Sequence, residues 1–246
     1  SLLPELANWS GWRAAILATN LLPLGAVLAA LLIPRLGQPL AGTTSSSEHK
    51  RPLWVITRRE AIAILIGGMA WPLMSSGGYV VFSSYAPELL TAKGLSISAA
   101  GLAVGLMSWL FMFTIPLGGW LTDRFGRGDA LFRFGCLFSA GAIALVPMGG
   151  PAMLWMVLAA VMGVTVGPIM TLPGQVLGPA SRATGLGIYF SVYYLGTVVL
   201  PASAGWLLDA SRSSAVVVWY AATCLTLAPL SLYCCRALQR RWNLGG

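Results

Sequence analysis

The chain has 246 residues, of which 57% are hydrophobic and only 9% charged, and it carries a net charge of +8. A soluble domain carries about 25% charged residues, so this chain cannot cover a water-facing surface. That excludes a soluble enzyme, a nucleic-acid-binding domain and a disordered tail, and leaves a membrane protein.

A bilayer core is crossed by roughly 20 apolar residues in a helix. Charge-free runs of that size place seven spans at about 14–34, 61–82, 99–121, 130–149, 152–173, 184–208 and 214–235. The runs are continuous rather than alternating, so they are helices and not barrel strands. Residues 1–13 precede the first span; they contain Pro4 and lack a basic segment followed by an apolar run, so they read as an outer loop rather than a signal peptide. Only the fourth span holds a charge, Arg133, near one end, where its side chain can reach the headgroups.

The basic residues set the orientation. Arg13, Lys93 and Arg212 fall in one alternating set of gaps, and the other twelve of the fifteen Lys and Arg residues fall in the opposite set or just beside it. By the positive-inside rule the N-terminus is outside and the C-terminus cytoplasmic, as in a plasma or bacterial inner membrane. The net charge is thereby a matter of topology, with no nucleic-acid partner required. The four cysteines, Cys136, Cys224, Cys234 and Cys235, lie in or at the ends of spans. They show neither disulfide nor metal spacing and read as small apolar fillers.

Residues 36–58 form a Gly/Ser/Thr/Pro-rich, then basic, cytoplasmic linker, unlike the short connections elsewhere. Three parts follow: an outer loop and one helix at 1–35, the linker at 36–58, and a six-helix domain at 59–246. That domain contains a repeat. Ala100-Gly101-Leu102 matches Thr184-Gly185-Leu186, and Pro116…Gly119-Trp120-Leu121-Thr122-Asp123 matches Pro201…Gly205-Trp206-Leu207-Leu208-Asp209. The third and sixth spans run in opposite directions, so the repeat is three helices plus three in inverted topology, a pattern of secondary transporters.

The segment Gly119-Trp120-Leu121-Thr122-Asp123-Arg124-Phe125-Gly126-Arg127 lies between spans 3 and 4. It resembles the signature loop of the major facilitator superfamily, departing at the last basic position, where Gly128 and Asp129 stand. Gly11-Trp12-Arg13 before span 1 is similar to the start of that family's sixth helix. The resemblance implies an all-α membrane protein of seven helices: the family's sixth helix, its central loop and its last six helices, with helices 1 to 5 of the N-terminal half missing. It further implies transport of a small solute by alternating access within a twelve-helix protein. Trp71…Tyr79…Pro87…Gly94 and Pro116-Leu117-Gly118-Gly119 resemble the cyanate and small organic-anion permease branch.

Asp123 ends span 3, where the helix dipole disfavours an anion unless it faces another helix's N-terminus. We expect spans 3 and 6 to pack antiparallel through their glycines, with Asp123 capping the start of span 6 and Asp209 the start of span 3. Gly119, Asp123, Arg124, Gly126, Arg127 and Asp209 would then form a conformational latch, the role the resemblance implies. Gly126 supplies a positive φ in the turn. Arg124 and Arg127 either pair with Asp123 or Asp129 or serve only as topology charges.

No ionisable residue lies near the middle of a span, so proton or ion coupling would need a carboxylate from the missing half. Polar and aromatic side chains remain as cavity candidates: Trp71, Ser75 and Tyr79 on span 2, Trp109 on span 3, Thr165 on span 5, and Tyr189 with Tyr193 on span 6. The Pro72 and Gly77-Gly78 interruptions suit a broken helix lining a cavity. No catalytic, metal or cofactor site is expected; the sole histidine, His49, sits in the linker. Two rivals stand beside the transporter: a truncated, non-transporting membrane subunit, and a seven-helix receptor-like protein. A retinal protein is excluded because span 7 has no lysine.

Overall fold

Lipid offers backbone groups no hydrogen-bond partners, so each crossing segment must bond to itself, and every element among the described residues is a helix. The structure, a computed structural model, describes residues 56–243, which lie in one unit, Pro52–Gly246. Span 1 and most of the linker fall outside the described residues.

Among the described residues six helices are long and apolar enough to cross a membrane: α1 (Arg58–Ala92), α2 (Ile97–Phe125), α3 (Gly128–Met148), α4 (Ala152–Val176), α5 (Arg182–Ser211) and α6 (Ser214–Trp242). They correspond to spans 2 to 7, and several are longer than the charge-free runs. The largest excess is in α1, whose 35 residues make roughly 52 Å at 1.5 Å per residue. It continues through Pro87 and Glu88 to Ala92. Charge and proline mark where the apolar core ends, but a helix leaving the bilayer need not stop there.

The expected break in span 2 takes a milder form. Residues Leu73–Val80 are wound wide, as a π-helical stretch, directly after Pro72. The corresponding helix of the second repeat, α4, is wound tight over Ala160–Thr165 and carries Pro168 and Pro173 beyond it. Both are irregular in mid-course yet remain helical throughout, as the bilayer requires.

The two repeats exchange their first helices. α1 packs on α5 and α6 of the second repeat, and α4 packs on α2 and α3 of the first. Along α1 and α5 the contacts advance together: Gly68 beside Tyr189 and Val192, Pro72 against Gly196, and Ser76 hydrogen-bonded to Thr197 at 3.0 Å. Those two helices are therefore parallel. The same holds for α4 and α2, where Gly163 faces Phe111 and Thr114 and Gly167 faces Gly118 and Gly119. α6 runs antiparallel to α1, with Cys235 seated on Gly67 and Cys224 on Gly77. Cys224 and Cys235, both buried, fill the space that these two glycines leave.

These approaches depend on the absence of a Cβ. One added at Gly118 would lie 2.5 Å from Val164 Cα, and at Gly77 2.7 Å from Cys224 Sγ. At Gly105 it would meet nothing within 4 Å. We predict that Gly118→Ala lowers the unfolding free energy in detergent by about 1–3 kcal/mol, the range for an overpacked core. Gly105→Ala should hold or raise it, since alanine is the better helix former by roughly 0.5–1 kcal/mol. Thermal unfolding of the two variants checks the pair, and equal melting temperatures would refute the close approach.

Candidate functional site

The expected pairing of spans 3 and 6 is corrected. α2 packs chiefly on α4, and α5 on α1. The glycines that were to bring α2 and α5 together serve other contacts: Gly118 and Gly119 accept α4, and Gly196 accepts Pro72 of α1. A Cβ at Gly101, Gly105 or Gly187 would have nothing within 4 Å. A glycine permits a close approach but does not name the partner, and here the crossed repeats decide it.

The anion at the start of α5 is accordingly a different one. Glu60, in the first turn of α1, accepts hydrogen bonds from Ser181 Oγ at 2.7 Å and from the Gly178 N–H at 3.4 Å. It also closes a capping box with Thr57: the Thr57 N–H and Oγ1 donate to Oε2 at 3.0 and 2.8 Å, and Thr57 Oγ1 accepts from the Glu60 N–H at 3.2 Å. Thr57-x-x-Glu60 before an apolar run is a sequence signal for such a helix start, one that the motif-based expectation of Asp123 leaves out.

Asp123 and Asp209 are both exposed, with no hydrogen bond or ion pair among the described residues. The helices they end stop in the same way. The residue three positions on from each, Gly126 (φ 62°) and Arg212 (φ 52°), adopts the left-handed conformation and donates its N–H to Thr122 O or Leu208 O. The positive φ expected of Gly126 is present, and in the second repeat an arginine accepts the same turn. Arg124 lies over the Trp120 ring, 5.8 Å from its centroid, a cation–π contact.

Asp129 takes an arginine from neither end of the loop. Its carboxylate is held by Arg236 of α6 in a bidentate pair, Nε–Oδ2 2.7 Å and Nη2–Oδ1 2.8 Å. Arg236 also donates to Gln239 at 2.8 Å and to Gln175 at the end of α4. This network and the signature loop border a cavity of about 460 Å³ that includes Asp123, Arg127, Asp129, Gln175 and Arg236. The loop is thus anchored to α4 and α6 through Asp129, while Asp123 and Arg127 stay exposed.

Among the cavity candidates, the structure assembles one aromatic group. Trp71 stacks on Tyr193 with centroids 3.9 Å apart and on Tyr189 at 5.5 Å, and meets Phe190 edge-on at 5.5 Å. Tyr189 is buried, and its hydroxyl donates to Ile169 O at 2.8 Å. Tyr193 is half-buried, and its hydroxyl has no hydrogen-bond partner among the described residues. Ser75 donates to Trp71 O at 2.9 Å within its own helix. Tyr79 is apart from this group, sharing a 3.0 Å hydrogen bond with Ser108 of α2 and meeting Phe111 edge-on. Trp109 is 72% exposed.

Thr165 belongs to the packing core, with no exposed surface. Its hydroxyl donates to Met162 O and contacts Met74 sulfur, and its methyl fills the space over Gly135. It lies where the wide stretch of α1 meets the tight stretch of α4, not on a cavity wall. Phe190 and Tyr194, which extend the aromatic group along α5, carry no sequence signal that sets them apart from other aromatic residues of the spans.

These features define an integral membrane protein built as two inverted three-helix repeats, the architecture of secondary transporters. A model of the Major Facilitator Superfamily matches residues 1–201 and 73–237. The chain belongs to that superfamily, a class of transporters rather than of enzymes.

The chain is 30% identical over 144 residues to proteins named "Probable nitrate/nitrite transporter NarK2" in two strains of Mycobacterium tuberculosis, covering 51% of this chain and 35% of each. It is 27% identical over 148 residues to "Probable anion transporter 4, chloroplastic" of Arabidopsis thaliana, covering 58% of this chain and 27% of that protein. The aligned region thus spans about a third of the length of the relatives.

Glu60 ties α1 to the turn before α5, so removing it should loosen that end of the bundle. We predict that Glu60→Ala costs about 1.5–3 kcal/mol, the range for hydrogen bonds to a charged acceptor. Ser181→Ala should cost less and add little on top of it. A double-mutant cycle on thermal unfolding measures the coupling, and additive losses would refute the contact.

Proposed function

We propose that the chain is the C-terminal domain, with the last helix of the N-terminal half, of a twelve-helix transporter that moves a small solute by alternating access. Residues 1–35 would supply that helix, 36–58 the cytoplasmic linker, and 59–246 the six-helix domain. The observation that carries the reading is the uncovered state of α2 and α5. Only 22% of the apolar window of each is buried, against 44–56% in the other four helices. Ser191 and Tyr194 lie on the exposed part of α5, and Ser108 and Trp109 on that of α2. Hydroxyls and aromatic edges of this kind suit a second helical half and a solute path better than lipid tails.

In this reading, Trp71 and Tyr193 form a solute contact roughly 16 Å along α5 from its first residue, at 1.5 Å per residue. Trp71 offers a flat face and Tyr193 a free hydroxyl. Tyr189 supports the stack from behind with its own hydroxyl committed, and Tyr79 and Trp109 flank the path nearer the other end. The relatives' names point to a small anion as the solute, a class that includes cyanate-sized ions. Since no cation lies mid-span in α1–α6, the compensating charge, like any coupling carboxylate, would come from outside the described residues. Asp123 and Arg127 would form one side of the latch, meeting an element beyond those residues. The basic-residue count supports an outside N-terminus and a cytoplasmic C-terminus in a plasma or inner membrane.

Anion uptake by proteoliposomes holding this chain with its N-terminal half tests the proposal. Tyr193→Phe should cut nitrite or nitrate uptake about tenfold, the weight of one hydrogen bond near 1.4 kcal/mol, and Trp71→Ala should cut it further. Thr165→Ser, at a packing position, should leave the apparent affinity unchanged. Asp123→Asn should change the transport rate with little loss of expression. Full uptake by Tyr193→Phe would exclude the hydroxyl contact, and transport by the chain without the N-terminal half would exclude the need for a partner.

A further inference from the structure

The seam between α3 and α6 carries a second recess that the transport reading does not use. At its end near Asp129 lies a small pocket lined by Arg133, Tyr233, Arg236 and Arg240, with Asp129 and Leu232 completing it. Three guanidinium groups meet one carboxylate, and that carboxylate is already satisfied by Arg236. Arg133 uses its Nε on the Asp129 carbonyl at 3.2 Å, leaving its terminal nitrogens without a partner among the described residues. Arg240 is exposed and likewise has no partner among them. Two arginines are therefore held over a seam between membrane helices, and no described residue neutralises them.

The same seam continues into the bilayer as an apolar groove of about 480 Å³. Its α3 wall is Leu137, Ala140, Gly141 and Ala144, and its α6 wall includes Trp219 and Thr226. Arg133, Leu137, Gly141 and Ala144 follow one another at helical spacing on one face of α3. Leu137 is four residues and Ala144 eleven residues from Arg133, so the groove runs from roughly 6 to 16 Å along the helix axis from the Arg133 backbone. One leaflet of hydrocarbon is about 15 Å deep, so the groove occupies acyl-chain depth directly above a cationic headgroup pocket. Small side chains keep it open: a Cβ at Gly141 would meet nothing within 4 Å. The far end is closed by Trp219, whose indole N–H donates to Ala144 O at 3.2 Å.

We infer that this seam is a binding site for an anionic phospholipid, its phosphate between Arg133 and Arg240 and one acyl chain in the groove between α3 and α6. Guanidinium pairs with phosphate in fork geometry, and Tyr233 adds an amphipathic ring at headgroup level. Basic pockets between membrane helices on the cytoplasmic side are the form such sites take. The assignment to the cytoplasmic leaflet rests on the orientation proposed for the transporter; the chemistry of the site does not. Because Arg236 also holds Asp129 and Gln175, the bound lipid would sit against the network that anchors the signature loop.

The test is native mass spectrometry of the purified chain in detergent, titrated with phosphatidylglycerol and with phosphatidylcholine of the same chain length. Phosphatidylglycerol should bind more tightly. The double variant Arg133→Gln, Arg240→Gln should weaken it about 30-fold, taking roughly 1 kcal/mol per arginine. Gly141→Leu, which fills the groove without touching the headgroup pocket, should weaken both lipids, while Gly105→Leu on α2 should change neither. Equal binding of the two lipids, unchanged binding by the double variant, displacement by millimolar inorganic phosphate, or a dimer mass that disappears with Gly141→Leu would each overturn the site. A reporter fused to the C-terminus reads the orientation separately. An outside C-terminus with lipid binding intact overturns the leaflet alone, and an inside C-terminus with no lipid selectivity overturns the lipid site alone.

Discussion

The bundle depends on the exchange of first helices between its two repeats, and the exchange depends on backbones that approach without a Cβ between them. In lipid there is no hydrophobic gain from helix association, so close packing and a few interhelical hydrogen bonds must hold the bundle. Gly118 against Val164, Gly167 against Gly119, Gly67 against Cys235 and Gly77 against Cys224 are such approaches. They set the depth of α1 against α6 and of α4 against α2. With the depths set, the wide stretch of α1 and the tight stretch of α4 meet at Met74 and Thr165. One turn before Met74, Trp71 is carried onto Tyr193.

The same exchange explains why the helices are unequally covered. α1 and α4 each lie between two helices of the other repeat, and α3 and α6 pack on each other as well. α2 and α5 are left with one main partner each. Polar ties then secure the ends. Glu60 holds the turn before α5, and Arg236 gathers Asp129, Gln175 and Gln239. At the opposite end Lys93 donates to the carbonyls of Val146 and Pro147 at the end of α3, where a cation also suits the helix dipole. The core is thus fastened at both faces, and the uncovered helices are attached to it along one side only.

Much of this architecture was readable in the residues because the bilayer restricts the choices. Continuous apolar runs mark the helices, the Gly-Trp-Leu-x-Asp echo marks α2 and α5 as equivalent helices of the two repeats, and Gly126 marks a left-handed turn. Helix pairing was not readable, because a glycine at position 118 or 196 declares a close approach without saying to what. Nor was the anion at the start of α5: Asp123 drew notice through its place in a loop motif, while Glu60, three residues after Thr57, is the one that reaches it. A motif identifies residues with a shared history, whereas a cap requires a particular distance.

Hydroxyl groups raise the same difficulty inside a span, and the structure shows how to separate them. A serine or threonine on a membrane helix can turn its hydroxyl back onto a carbonyl three or four residues earlier. Ser75, Ser84, Ser191, Thr197 and Thr223 all do so. Their presence therefore says little about solute. A tyrosine cannot fold back in this way, because its ring carries the oxygen beyond its own helix, so it must find a partner on another element or keep its hydroxyl free. Tyr189 reaches Ile169 O, Tyr79 reaches Ser108, and Tyr220 reaches Ser203. Of the three tyrosines on the candidate cavity, Tyr193 is the one whose hydroxyl has no such partner among the described residues, and its ring is held in place by Trp71. A fixed ring with an unspent hydroxyl, beside an uncovered helix face, is the combination on which the proposed solute contact at Tyr193 rests.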